Sequence, residues 1–125
     1  LLSASNFGAT DEGTAELIAQ AATPVIENAK AGYRLVILND PKLVGKTELY
    51  RLHLNPGGVL DSRPHEKGAR EQLTVLSGAV ELHCGAQTMS IGAGDTARYA
   101  ADVNHRISAA KGKAADVLLF VKFDK

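Results

Sequence analysis

The stretch Gln72-Leu73-Thr74-Val75-Leu76, Ser77-Gly78, Ala79-Val80-Glu81-Leu82-His83-Cys84, Gly85-Ala86, Gln87-Thr88-Met89-Ser90-Ile91, Gly92-Ala93-Gly94, Asp95-Thr96-Ala97-Arg98-Tyr99-Ala100 decides the fold class. It alternates β-type runs with short breaks, and every break contains glycine. In Ala79 to Cys84 the residues Val80, Leu82 and Cys84 share one face, and Glu81 and His83 share the other. That period of two marks a strand with one buried face. None of the breaks can hold a crossover helix, so a parallel α/β sheet is excluded.

The same texture extends outward in both directions. Upstream lie Tyr33 to Leu38 and Thr47 to Leu54; downstream lie His105 to Ala109 and Asp116 to Phe123. Asn39-Asp40-Pro41, Asn55-Pro56-Gly57-Gly58 and Lys111-Gly112-Lys113 punctuate them. Evenly spaced short strands with turn residues between them predict an all-β sandwich or barrel. Tyr50, Leu52 and Leu54 alternate with Arg51 and His53. His53 and His83 therefore read as solvated surface histidines, and Cys84 as a buried, inert thiol. Val117 to Val121 is apolar on both faces, as in a strand covered on both sides, by a helix or by a partner subunit.

The residues before Tyr33 read differently. Thr10 and Asp11 are helix starters. Leu17, Ile18, Ala21, Ala22, Val25 and Ile26 then trace a helical face, interrupted at Pro24. Thr23-Pro24 can instead open a second short helix. Gly32 follows as a terminator. The expected organisation is an arm or linker with a helical segment over residues 1–32 and a β-barrel domain over residues 33–125.

Composition narrows the function classes. The 125 residues hold 14 Lys+Arg and 14 Asp+Glu, giving zero formal net charge. That balance argues against nucleic-acid binding by this stretch alone, and gives no reason to expect a membrane partner. The first residue is Leu1, which suggests a processed or cut chain, and Leu1 to Ser5 is too short for a signal peptide. A single cysteine forms no internal disulfide, so a cytoplasmic setting is expected.

Two segments carry chemistry: Gly58 to Gly78, and Gly94 to Ala109. They resemble the two motifs of the cupin superfamily, which are double-stranded β-helix (jelly-roll) barrels. In the first motif His65 takes the first histidine position, and Glu71 and Gly78 take theirs with six residues between them. Lys67 stands where the second histidine would be, and Gly58 lies one residue too far upstream. In the second motif Gly94 and His105 fit, while Ala100, Asp102 and Ala109 replace the Pro, Gly and Asn. The resemblance implies an all-β cupin barrel behind a short N-terminal helical segment.

In a barrel, inward residues of different strands converge on one cavity. His65 and Glu71 are an even number of residues apart and share a face on a continuous strand, although Gly68 permits a turn or bulge. With His105 they make two imidazoles and a carboxylate, the donor set of a facial-triad Fe(II) site, which also suits Mn, Ni or Zn. The other reading is metal-free. Lys67 would neutralise Glu71, and Lys67, Arg70 or Arg63 would hold an anionic ligand. Arg70, adjacent to Glu71, can equally face outward as a solvated charge. Tyr99, from the second segment, joins these three as an expected ligand-binding residue. The blandest reading makes His65 and Glu71 satisfied polar residues without a ligand.

One branch of the superfamily is resembled most. His65, Gly68, Arg70, Glu71, Val75, Leu76 and Gly78, with Gly94, Asp95, Ala101, Asp102 and His105, are similar to the cupin sensor domain behind a helix-turn-helix in bacterial (XRE-type) transcription regulators. That resemblance implies a regulatory domain sensing a small polar or anionic effector. DNA would be bound only through a helix-turn-helix segment missing from this chain. A homodimer is expected, because sheet edges and the two-sided strand need covering. The alternative is a stand-alone metal-dependent cupin enzyme of dioxygenase or isomerase type.

Overall fold

Ten strands form two antiparallel sheets among the described residues, 14–124 of the computed structural model. They are β1 (Val25–Asn28), β2 (Tyr33–Ile37), β3 (Thr47–Leu54), β4 (Val59–Ser62), β5 (Arg70–Ser77), β6 (Ala79–Cys84), β7 (Gln87–Gly92), β8 (Thr96–Ala100), β9 (His105–Ala109) and β10 (Ala115–Lys122). The larger sheet runs β1-β2-β3-β10-β5-β8 and the smaller β4-β9-β6-β7. The chain crosses between the sheets repeatedly, which is the jelly-roll arrangement expected of the barrel.

Alternation sets the core. Leu52 and Leu54 of β3, Val117 and Leu119 of β10, and Leu73 and Val75 of β5 face inward from the larger sheet. Val80, Leu82, Ile91 and Ile107 meet them from the smaller one. Burying each such side chain contributes about 1.5–3 kcal/mol. The β5–β6 turn depends on Gly78, whose φ is +75°. A Cβ there would lie 2.3 Å from the Ala114 carbonyl oxygen.

The helical expectation upstream is corrected. Among the described residues before Tyr33 the helical segment is the short 3-10 turn Gln20–Ala22, and Val25–Asn28 is a strand paired with β2. Pro24 has no N–H to continue a helix. Its carbonyl instead accepts from the Ile37 amide at 2.9 Å, and β-branched Val25 and Ile26 continue into the ladder. Thr10 and Asp11 lie outside the described residues. The larger sheet thus begins upstream of position 33. Strand β4 was not among the expected runs.

Strand β10 sits between β3 and β5. Its inner face is buried, but Leu118 on the outer face is 37% exposed, and no helix covers it among the described residues. No helix of these residues is long and apolar enough to cross a membrane.

Candidate metal centre

Three segments bring His65, Glu71 and His105 together. Glu71 is the second residue of β5, paired with Tyr99 on β8 and Val121 on β10, and its side chain is buried. His105 opens β9, opposite Ser62 of β4 and Cys84 of β6. His65 lies in the β4–β5 connection, held by its amide to the Ala101 carbonyl at 2.8 Å. Gly68 breaks the strand between His65 and Glu71, with φ +86° and its amide on Asp102 Oδ2 at 2.9 Å. The turn, rather than even spacing on one strand, therefore delivers His65. One donor atom from each of the three residues lies within 4.8 Å of the others.

Glu71 divides its two oxygens. Oε1 accepts from the Tyr99 hydroxyl at 2.5 Å. Oε2 faces both imidazoles, 3.2 Å from His105 Nε2 and 3.6 Å from His65 Nε2. His105 Nδ1 lies 2.8 Å from the Val103 carbonyl oxygen, which only accepts, so Nδ1 carries the proton. In the neutral ring, Nε2 then turns a lone pair toward Glu71. Despite the short distance, buried His105 Nε2 has no hydrogen-bond partner.

Electrostatics follow from this packing. Burial pushes the His105 pKa down, but the Glu71 carboxylate, the Val103 carbonyl and Asp61 together outweigh it, and the net direction is up. Burial, then the Glu71 charge, raises Tyr99 far above an ordinary phenol, so it stays a proton donor. The His65 ring stands edge-on to His105 at 5.0 Å and to Phe123 at 6.0 Å. An orphaned buried nitrogen, a second imidazole and a free carboxylate oxygen make a donor set that fits a divalent transition metal.

The remaining sequence candidates lie elsewhere. Lys67, Arg70 and Arg63 are exposed, and among the described residues no ion pair joins any of them to Glu71. Arg70 lies beside Arg98 and Lys122 on the outer face. Arg63 borders a shallow surface cavity with Asn104 and Arg106. Tyr99 is placed to hold Glu71. His53 Nδ1 lies 3.1 Å from Asp116 and His83 Nε2 3.3 Å from Glu81, both outside the centre. Cys84 is partly buried, its thiol 3.4 Å from the Ala100 carbonyl.

Sequence reasoning missed the role of Tyr99 as the anchor of Glu71. The available signal was their shared inward alternation in β5 and β8. It missed the Val103 carbonyl and Phe123 because loop backbone and chain-end packing leave no periodic trace.

Comparison with known proteins agrees with this fold. The family model described as a cupin domain matches residues 50–121. The HTH-type transcriptional regulator SutR of Escherichia coli (strain K12) is 33% identical over 66 residues, covering 53% of this chain and 36% of SutR. The chain thus spans about a third of that regulator's length. The crystal structure of the Cupin_2 domain of an XRE family transcriptional regulator from Enterobacter cloacae superposes with TM-score 0.69 at 20% identity, over 75% of this chain and 99% of that one. A cupin-superfamily sugar phosphate isomerase from Silicibacter pomeroyi gives TM-score 0.67 at 18% identity, over 86% and 76%. With its family motifs, its jelly-roll sheets and the matched residues in agreement, this chain belongs to the cupin domain family.

Proposed function

We propose that this cupin domain is the small-molecule-sensing part of a bacterial transcription regulator, with a divalent metal held by His65, Glu71 and His105. Its likeness to SutR carries the regulatory part of the reading. The orphaned His105 Nε2 facing Glu71 Oε2 carries the metal part. DNA contact would come from a helix-turn-helix segment outside these residues, and the setting would be cytoplasmic. Fe, Mn, Ni or Zn suits the donors, and when bound such an ion supplies Lewis acidity to a ligand's oxygen or nitrogen. Tyr99 orients Glu71, and the Val103 carbonyl fixes the His105 tautomer. The effector acts by differential affinity for two arrangements of a homodimer.

Elemental analysis after purification with added metal tests the centre. About one equivalent per chain is expected, lost in His65→Ala and His105→Ala. No metal in the wild type would sink the metal-assisted reading. The metal-dependent enzyme remains the second reading, favoured by the facial-triad donor set itself. Turnover of a substrate by the metal-loaded chain would replace sensing with catalysis.

A further inference from the structure

A groove of about 550 Å³ lies at the edge of the larger sheet, between the segment before β1 and the β2–β3 connection. Its size is that of a small-molecule site. Ile18, Pro24, Ile37 and Val44 supply apolar walls. Ile37 pairs with Tyr50, in the same inward alternation as Leu35 and Leu52. The groove therefore opens onto the inner face of the barrel. Glu48 and Glu71 flank Val121 in one inward row of the sheet. Their backbones are two strand spacings apart, about 10 Å.

The polar groups of this groove are nearly all committed. Thr23 Oγ1 donates to the Ala19 carbonyl. Asn39 Nδ2 donates to the Thr47 and Asp40 carbonyls, and Thr47 Oγ1 donates to Asn39 Oδ1. The Tyr50 hydroxyl donates to Glu48 Oε1 at 3.0 Å. Among the described residues Glu48 Oε2 has no such partner, and Glu48 is the only one of them lining the groove that is charged. Among the described residues no lysine or arginine lines it. A partly buried carboxylate with one oxygen fixed and one free, set in apolar walls, complements a cation on an apolar body.

We infer that this groove binds an apolar ammonium compound, with the cation on Glu48 Oε2 and the hydrocarbon against Ile37, Pro24 and Val44. The inference rests on the sensing reading above and assigns the effector's chemical class. It runs against an anionic effector, because Lys67, Arg70 and Arg63 lie outside this groove.

The test uses hexylamine, hexanol and hexanoate, titrated against isotopically labelled protein and followed by NMR shifts of Ile37 and Tyr50. Hexylamine should bind tightest, hexanol more weakly, and hexanoate least. The isosteric Glu48→Gln should weaken hexylamine about tenfold or more while leaving hexanol unchanged. Ala22→Phe, which fills the groove, should weaken all binding of hexylamine and hexanol. Hexanoate binding as well as hexylamine, or an unchanged hexylamine affinity in Glu48→Gln, would overturn the assignment. So would a wild type that ignores hexylamine. Metal loading at His65, Glu71 and His105, measured on the same samples, separates this failure from that of the metal centre.

Discussion

Tyr99 and Glu71 face each other across the β5–β8 ladder, and the Tyr99 hydroxyl donates to Glu71 Oε1 at 2.5 Å. This bond leaves Oε2 directed at the two imidazoles. The carboxylate is buried, so the tyrosine both satisfies it and limits it to one free oxygen. Tyr99→Phe should therefore cost about 1–3 kcal/mol in the metal-free protein, read by urea denaturation. Metal affinity should fall about 10–100-fold by competition with a chelator. Unchanged affinity would mean that Glu71 needs no positioning.

The direction of the His105 shift sets a pH dependence for the metal-free protein. The folded pKa is raised above the ordinary histidine value, so the folded state holds its proton more tightly than the unfolded chain. The stabilisation is complete below the unfolded value and is lost as pH rises through the raised folded one. Denaturation midpoints should fall across that window, and His105→Gln should flatten the slope. Metal affinity should move oppositely, rising with pH as the imidazoles lose protons. A wild-type slope retained in His105→Gln would assign it to another group.

Gly78→Ala should destabilise the barrel. The +75° φ alone costs about 1–2 kcal/mol for an alanine. The 2.3 Å approach to the Ala114 oxygen adds to it, because backbone cannot swing away. Thermal unfolding would show it. A substitution without effect would mean that the β5–β6 turn relaxes to another geometry.

Leu118 sits on the outer face of central β10, between Arg51 of β3 and Thr74 of β5. If this face meets a second copy, light scattering should give twice the 13.2 kDa chain mass at micromolar concentration. Leu118→Lys should shift the particle to the monomer without unfolding it. A wild-type monomer would show that the face stays exposed.

The strands from Tyr33 onward, β4 excepted, were legible because a two-residue period survives without knowledge of partners. Val80, Leu82 and Cys84 against Glu81 and His83 show the buried face by themselves. The motif residues His65, Glu71 and His105 were legible for a similar reason: their spacing carries the family likeness. Within the segment from Leu17 to Ile26, Val25 and Ile26 were misread as helical because the apolar residues fit a helical face as well as an extended one. A tertiary bond, Ile37 amide to Pro24 carbonyl, decided between them.

Direction, pairing and charge placement belonged to the tertiary structure alone. No local pattern says that Lys67 points outward while His65 turns in, since the Gly68 turn breaks the alternation that would relate them. Tyr99 lies 28 residues beyond Glu71 in the chain, and only the β5–β8 ladder places its hydroxyl on that carboxylate. Sequence by itself determined which residues alternate and where turns fall, because those preferences act over a few neighbours. Which side chains share a buried space was settled by the closing of two sheets, where desolvation makes each unpaired charge costly and each partner specific.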